Sequence, residues 1–184
     1  MMATQLARLH PKDVDAIIQT GWSTTLDTKP MQAFTLKSVS AIFPSRFPAN
    51  MTTGYVTTSS ATQREQTFYF PGHYDPAIPV VDYASVDTVT VGEMAAFAYF
   101  AEPSLGYTNP LMVVTGVHDF SLCPEETQAS CDAALNRTRL DQFPDVPTSK
   151  FAFYAPANTG HDLTLHYSAN KTFEVVHRFL GKYF

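Results

Sequence analysis

Long apolar runs are missing from this sequence, and none of its 184 residues belongs to a stretch approaching the roughly twenty apolar positions that cross a bilayer. The opening Met1-Met2-Ala3-Thr4-Gln5-Leu6 also lacks the basic stretch and apolar block of a signal peptide, so no membrane span is expected and the compartment stays open, a cytoplasmic one being compatible. Positive charge is scarce. Twelve Lys and Arg stand against seventeen Asp and Glu, for a net charge of −5, and they form no cluster, which excludes a nucleic-acid partner that needs a basic face. Cysteine is nearly absent as well. Cys123 and Cys131 lie eight apart, close enough for a local disulfide that the sequence permits but does not compel. Low complexity and internal repeats are missing too, so nothing argues for an array or a disordered linker.

What is present is apolar and aromatic. Hydrophobic residues make up 45% and charged ones 16%, with fourteen Phe and nine Tyr, the profile of a chain that buries a core or lines an apolar pocket. The length fits one domain, or a small core with an inserted lobe. Three Asn-x-Ser/Thr triplets, at Asn50, Asn136 and Asn170, would matter only outside the cytoplasm.

Along the chain, Ala3 to His10 is a helix former cut short before Pro11, as in a chain truncated inside a helix. Val14 to Gly21 reads as a buried strand closed by glycine. From Ser23 to about Asn109 the sequence breaks into proline-punctuated amphipathic pieces (Met31 to Phe43, Ser59 to Phe70, Val81 to Phe100), read as a helical insertion. Leu111 to Gly116 is a second buried strand, Pro124 to Phe143 a helix, and Lys150 to Tyr154 a third strand. The final helix carries Phe173, Val176 and Leu180 on one face. Strands separated by crossovers imply a parallel α/β sheet. The expected divisions are 1–22 and 110–184 for the core and 23–109 for a helical cap.

In parallel sheets chemistry collects beyond the carboxyl ends of the strands. There stand Gly116-Val117-His118-Asp119-Phe120 and Asn158-Thr159-Gly160-His161-Asp162. An acid on one loop and a histidine on the next can hold an imidazole in one tautomer and stabilise its protonated form. A loop aspartate that merely caps a turn and a solvated histidine are the plainer alternative.

The segments Gly160-His161-Asp162-Leu163-Thr164-Leu165-His166-Tyr167-Ser168-Ala169 and Pro110 to Asp119 resemble the histidine loop and the acid-bearing strand of fungal, lidded members of the α/β-hydrolase family. Gly54 to Ser60 and Phe68 to Asp75 resemble the lid of the same group. The resemblance implies a partial α/β-hydrolase fold, with three parallel strands equivalent to strands 6–8, a helical cap and no cofactor. It makes Asp119 the acid and His161 the base of a catalytic triad, and Phe68, Tyr69, Phe70, His73 and Tyr74 candidate substrate-binding residues beside Phe34 and Phe43. It also implies a serine hydrolase acting on a medium-sized apolar ester or lactone.

The nucleophile is the departure. No Gly-x-Ser-x-Gly occurs, and the nearest fragment, Gly21-Trp22-Ser23-Thr24-Thr25, has Thr25 where the elbow needs a small residue and no helix start after it. Ser23 is therefore a weak candidate, and the chain is expected to be inactive alone. A partner is expected on the exposed first strand, either an N-terminal half or a second copy. The alternative is a non-hydrolytic accessory or acid–base protein, isomerase- or cyclase-like, of fungal secondary metabolism. His118, His161 and His166 near Asp119 and Asp162 raise a metal reading, but the spacing of His161 and His166 matches no common zinc pattern, so no metal is expected.

Overall fold

A computed structural model describes residues 2–27, 35–96 and 102–184 of the chain. Phe34, the adjoining end of the expected Met31 to Phe43 helix and Phe100 lie outside the described residues.

Leu111–Val114 (β5) is buried at every position, as a strand covered on both faces must be, and it forms the centre of a parallel sheet. Ile17–Thr20 (β1) pairs with it on one side and Phe151–Tyr154 (β6) on the other, in the order β1-β5-β6. Among the described residues β1 pairs with β5 alone, so its other edge is open.

Side chains alternate across β5 and build two cores. Leu111 and Val113, with Ile17, meet Ala7 of the first helix, Met2–Leu9 (α1), and Cys131 and Leu135 of the long helix Gln128–Gln142, numbered α6 below. Met112 and Val114 meet Phe179 of the last helix, Ala169–Tyr183, numbered α7 below. Three layers result, helix on sheet on helix. Burying each such side chain contributes about 1.5–3 kcal/mol.

On α7 the residues that face the sheet are Val175, Val176, Phe179, Leu180 and Tyr183, at the spacing of a helical stripe. The expected face is shifted by this: Val176 and Leu180 pack, but Phe173 is 45% exposed, because the buried line of the helix passes through Thr172 instead.

The segment between β1 and β5 is only partly the helical insertion expected. Its described residues include the short helices Val39–Ile42 (α2), Ala61–Phe68 (α3), Ile78–Ala84 (α4) and Val91–Ala95 (α5). It also contains an antiparallel sheet of Leu36–Ser38 (β2), Tyr55–Thr58 (β3) and Val89–Thr90 (β4), in that order. Strands of two to four residues are too short to display a period of two, and Thr57 and Thr58, which are polar, supply buried positions. Helix α3 is capped by Ser60, whose hydroxyl accepts the Gln63 amide, and it stops just before Pro71.

Cys123 and Cys131 form a disulfide, joining the loop after β5 to the first turn of α6.

Candidate active site

Beyond Val114 the chain turns through Gly116 into a tight bend. The Asp119 amide donates to the Gly116 carbonyl at 3.0 Å, and the Asp119 carbonyl accepts the amides of Leu122 and Cys123 at 3.0 and 2.8 Å. The Ser121 amide reaches the Asp119 carboxylate at 3.3 Å. The disulfide fixes the far end of the same bend. A carboxylate is thus held 1% exposed with a short list of donors, an arrangement that needs a strong remaining partner.

That partner is His161, whose Nδ1 lies 2.7 Å from Asp119 Oδ2. Two backbone hydrogen bonds lace the loops together, from His118 N to Thr159 O at 2.9 Å and from Val117 N to Pro156 O at 3.1 Å. The approach is so close that a Cβ on Gly116 would stand 2.2 Å from the Gly160 carbonyl oxygen. Gly21, which ends β1 with φ +58°, is pressed against the imidazole on another side, where a Cβ would lie 3.0 Å from His161 Cε1. The Phe68 ring lies 5.5 Å from the imidazole, and the Arg64 guanidinium lies 4.7 Å from the centre of the Phe68 ring.

Burial opposes charge on His161, but the hydrogen bond and negative charge of Asp119, with Asp162 adding to them, outweigh it and hold the imidazole above the ordinary histidine value. With Nδ1 engaged, Nε2 is the nitrogen left to exchange a proton. Burial raises Asp162 above the usual carboxylate range, repulsion from Asp82 and Asp119 adds to this, and His161 and Arg64 oppose it.

His161 and Asp162, with Leu163 and Thr164 after them, border a cavity of about 310 Å³ whose other walls are Ile18, Thr20 and Gly21 of the β1 edge and Thr172, Phe173 and Val176 of α7. None of Phe68, Tyr69, Phe70, His73 or Tyr74 forms its wall. Tyr69 is buried and its hydroxyl donates to Asp82 at 2.8 Å, the same carboxylate that takes Arg64 in a two-pronged pair. Tyr74 is buried with its hydroxyl on Glu65, and burial together with that carboxylate pushes it up to about 12. Phe70 is stacked between two imidazoles, His118 at 3.5 Å and His73 at 5.0 Å. Of the five, Phe68 alone packs on the His161 ring.

Ser23 is fully buried, and its hydroxyl donates to the Leu122 carbonyl at 2.6 Å, with Thr25 O a longer second acceptor. A hydroxyl has one proton, and that of Ser23 is committed to the backbone of the acid loop. The order Ser23, Asp119, His161 along the chain does not bring the serine to the base.

One residue on the histidine loop has more partners than its sequence context suggests. His166 is 3% exposed and hydrogen-bonds to three backbone groups. Its position five residues after His161 carries no periodic signal, and the density of histidines near that loop marks it at most, with His73, as a pocket-lining residue, yet it is no part of the wall of the cavity beside His161.

No protein-family model matches the chain, and no curated protein matches it in sequence. Among solved structures, an α/β hydrolase fold protein from Chitinophaga pinensis matches with a TM-score of 0.53 and 10% identity, over 100% of this chain and 62% of that one. A structure described as E-2-(acetamidomethylene)succinate hydrolase matches at a TM-score of 0.46 and 16% identity, over 97% of this chain and 62% of that one. The first likeness shows the fold, which is of the α/β-hydrolase type. The chain spans 62% of the length of each of these structures.

Proposed function

We propose that Asp119 and His161 are the acid and base of a serine hydrolase that cleaves a medium-sized apolar ester or lactone. The observation that carries this reading is the 2.7 Å contact between a buried Asp119 carboxylate and His161 Nδ1, with the imidazole braced by Gly21 and Phe68 at the border of a cavity. In the proposed reaction a serine oxygen attacks the acyl carbon while His161 Nε2 takes the serine proton. The tetrahedral intermediate collapses as His161 returns that proton to the leaving alkoxide, and water then releases the acid by the same two transfers. Asp119 holds the reactive tautomer and stabilises the imidazolium without taking the proton. Ile18, Leu163, Phe173 and Val176 give the cavity its apolar wall, and the segment around Phe68, which stands outside that wall and packs on the His161 ring, is the lid of this proposal.

The serine belongs, in this proposal, to a segment docked on the open edge of β1, either another stretch of a longer polypeptide or a second chain. The cavity lies between that edge and α7, beside His161. The commitment of the Ser23 hydroxyl to Leu122 favours this over an internal nucleophile and is also what supports the second reading, an acid–base accessory protein that needs no serine.

Treating the natural full-length protein with a fluorophosphonate probe and mapping the adduct separates these. Labelling of a serine outside Ser23, lost on His161→Ala, is expected. Labelling of Ser23 would overturn the assignment of the nucleophile, and a complete lack of labelling would favour the accessory protein.

A further inference from the structure

His166 sits among hydrogen-bonding groups that leave its protonation state little freedom. Nε2 receives two backbone amides, Phe70 N–H at 2.9 Å and Gly160 N–H at 3.1 Å, so that nitrogen must be an unprotonated acceptor. Nδ1 lies 2.7 Å from the Asp162 carbonyl oxygen, which can only accept, so Nδ1 carries the hydrogen. Gly160 N–H and Asp162 C=O belong to the residues immediately before and after His161. One imidazole therefore clasps the backbone on both sides of the base and, through Phe70, the strap Phe68–His73 as well.

Other contacts run along the same seam. The Asp162 amide donates to Phe68 O at 3.0 Å and the Tyr167 amide to His73 O at 2.9 Å. Gly160 lets the strap come this near, since a Cβ there would stand 2.7 Å from Phe68 O and 3.1 Å from Phe70 N. The rings of Tyr69 and Tyr74 close over His166 at 5.7 and 5.9 Å.

We propose that neutral His166 is a positioning residue that fixes the His161 backbone and ties it to the strap Phe68–His73, and that protonating His166 releases both. The proposal rests on the acid–base reading of Asp119 and His161. A proton on Nε2 would confront two N–H groups, so both hydrogen bonds would be lost and two buried donors stranded.

The groups facing the ring agree with this. On its own loop the Asp162 carbonyl accepts from Nδ1 and works toward a higher value. On the strap His73 repels positive charge, while Tyr69 and Tyr74 meet the ring with their hydroxyls turned to Asp82 and Glu65. Among the described residues no carboxylate hydrogen-bonds to the ring. Burial is the largest influence, and with His73 it outweighs the Asp162 carbonyl and holds His166 below the ordinary histidine value. The two histidines are therefore driven apart, His161 upward and His166 downward.

The test is histidine side-chain and backbone-amide NMR on the labelled full chain, taken from neutral to mildly acid pH. The Nδ1–H tautomer of His166 is expected at neutral pH, with hydrogen exchange at the Phe70 and Gly160 amides accelerating about tenfold or more, beyond the intrinsic pH effect, as His166 takes its proton. In His166→Phe those amides exchange fast at every pH and the His161 titration falls toward 6.5, whereas His166→Gln, which keeps an acceptor and a donor, restores both. An Nε2–H tautomer, or Phe70 and Gly160 exchange that ignores the His166 titration, would overturn the proposal, and these wild-type readings decide it even if His166→Phe does not fold. A folded His166→Phe with unchanged His161 titration would overturn it equally. Failure of the acid–base reading looks different: Asp119→Asn would then leave the His161 titration unmoved while the His166 signature persisted.

Discussion

Replacing Gly116 by alanine tests how tightly the acid and histidine loops are pressed together. The new methyl would lie 2.2 Å from Gly160 O, 2.3 Å from Thr159 O and 2.7 Å from Thr159 C, all backbone atoms, where ordinary contact begins at 3.4 Å. No rotamer can relieve this, so the histidine loop must retreat by about 1 Å or β5 must bend, and forced overpacking of this kind costs about 1–3 kcal/mol. Retreat also stretches the hydrogen bonds from Val117 N to Pro156 O and from His118 N to Thr159 O, each worth about 0.5–1.5 kcal/mol. The expected loss is about 2–6 kcal/mol in urea unfolding, with His161 titrating closer to 6.5 because its 2.7 Å contact with Asp119 opens. Gly181→Ala is the control. It lies in α7 with nothing within 4 Å of an added methyl, and alanine there should stabilise by up to about 1 kcal/mol through helix propensity. Gly116→Ala as stable as wild type, with an unmoved His161, would refute the account of how the pair is assembled.

Other outcomes follow from the same geometry. Reducing Cys123–Cys131, whose loop spans eight residues, should cost about 2–3 kcal/mol and broaden the Asp119 region in NMR spectra, and an unchanged melting curve would deny the bond a role. Ser23→Ala should lose about 1 kcal/mol, since it strands the Leu122 carbonyl, and should leave fluorophosphonate labelling intact. Stability should fall at both ends of the pH range. His166, held below 6.5 in the fold, contributes stability that is present above 6.5 and lost as pH drops toward its folded value, whereas His161, held above 6.5, contributes stability that is complete below 6.5 and fades as pH rises through its folded value. Urea midpoints measured against pH should therefore lose their acid limb in His166→Phe, and an acid limb of wild-type steepness would count against the assignment.

The parallel sheet was legible because its physics is local. Leu111 to Val114 is an apolar run bounded by turn residues, Ile17 and Ile18 head a second strand closed by Gly21, and functional loops follow the carboxyl ends of such strands, where Asp119 and His161 stand. The small sheet of β2, β3 and β4 was not legible, because Ser38 pairs with Val56 and Val56 with Val89, contacts remote in sequence and made by strands too short to show a pattern. Tyr69 and Tyr74 read as pocket aromatics, yet their hydroxyls answer Asp82 and Glu65, carboxylates whose proximity only the folded chain reveals. His166 stood out only as one of several histidines, and its role was not legible, because its partners are backbone groups, which carry no side-chain signature.

The central claim is that Asp119 tunes His161 as a base, and the most direct measurement is the His161 titration by NMR in wild type and in Asp119→Asn. The account predicts a wild-type value above 6.5, a downfield Nδ1 proton, and loss of both in the variant while the fold persists. A wild-type His161 that titrates at or below 6.5 and ignores the substitution would contradict it.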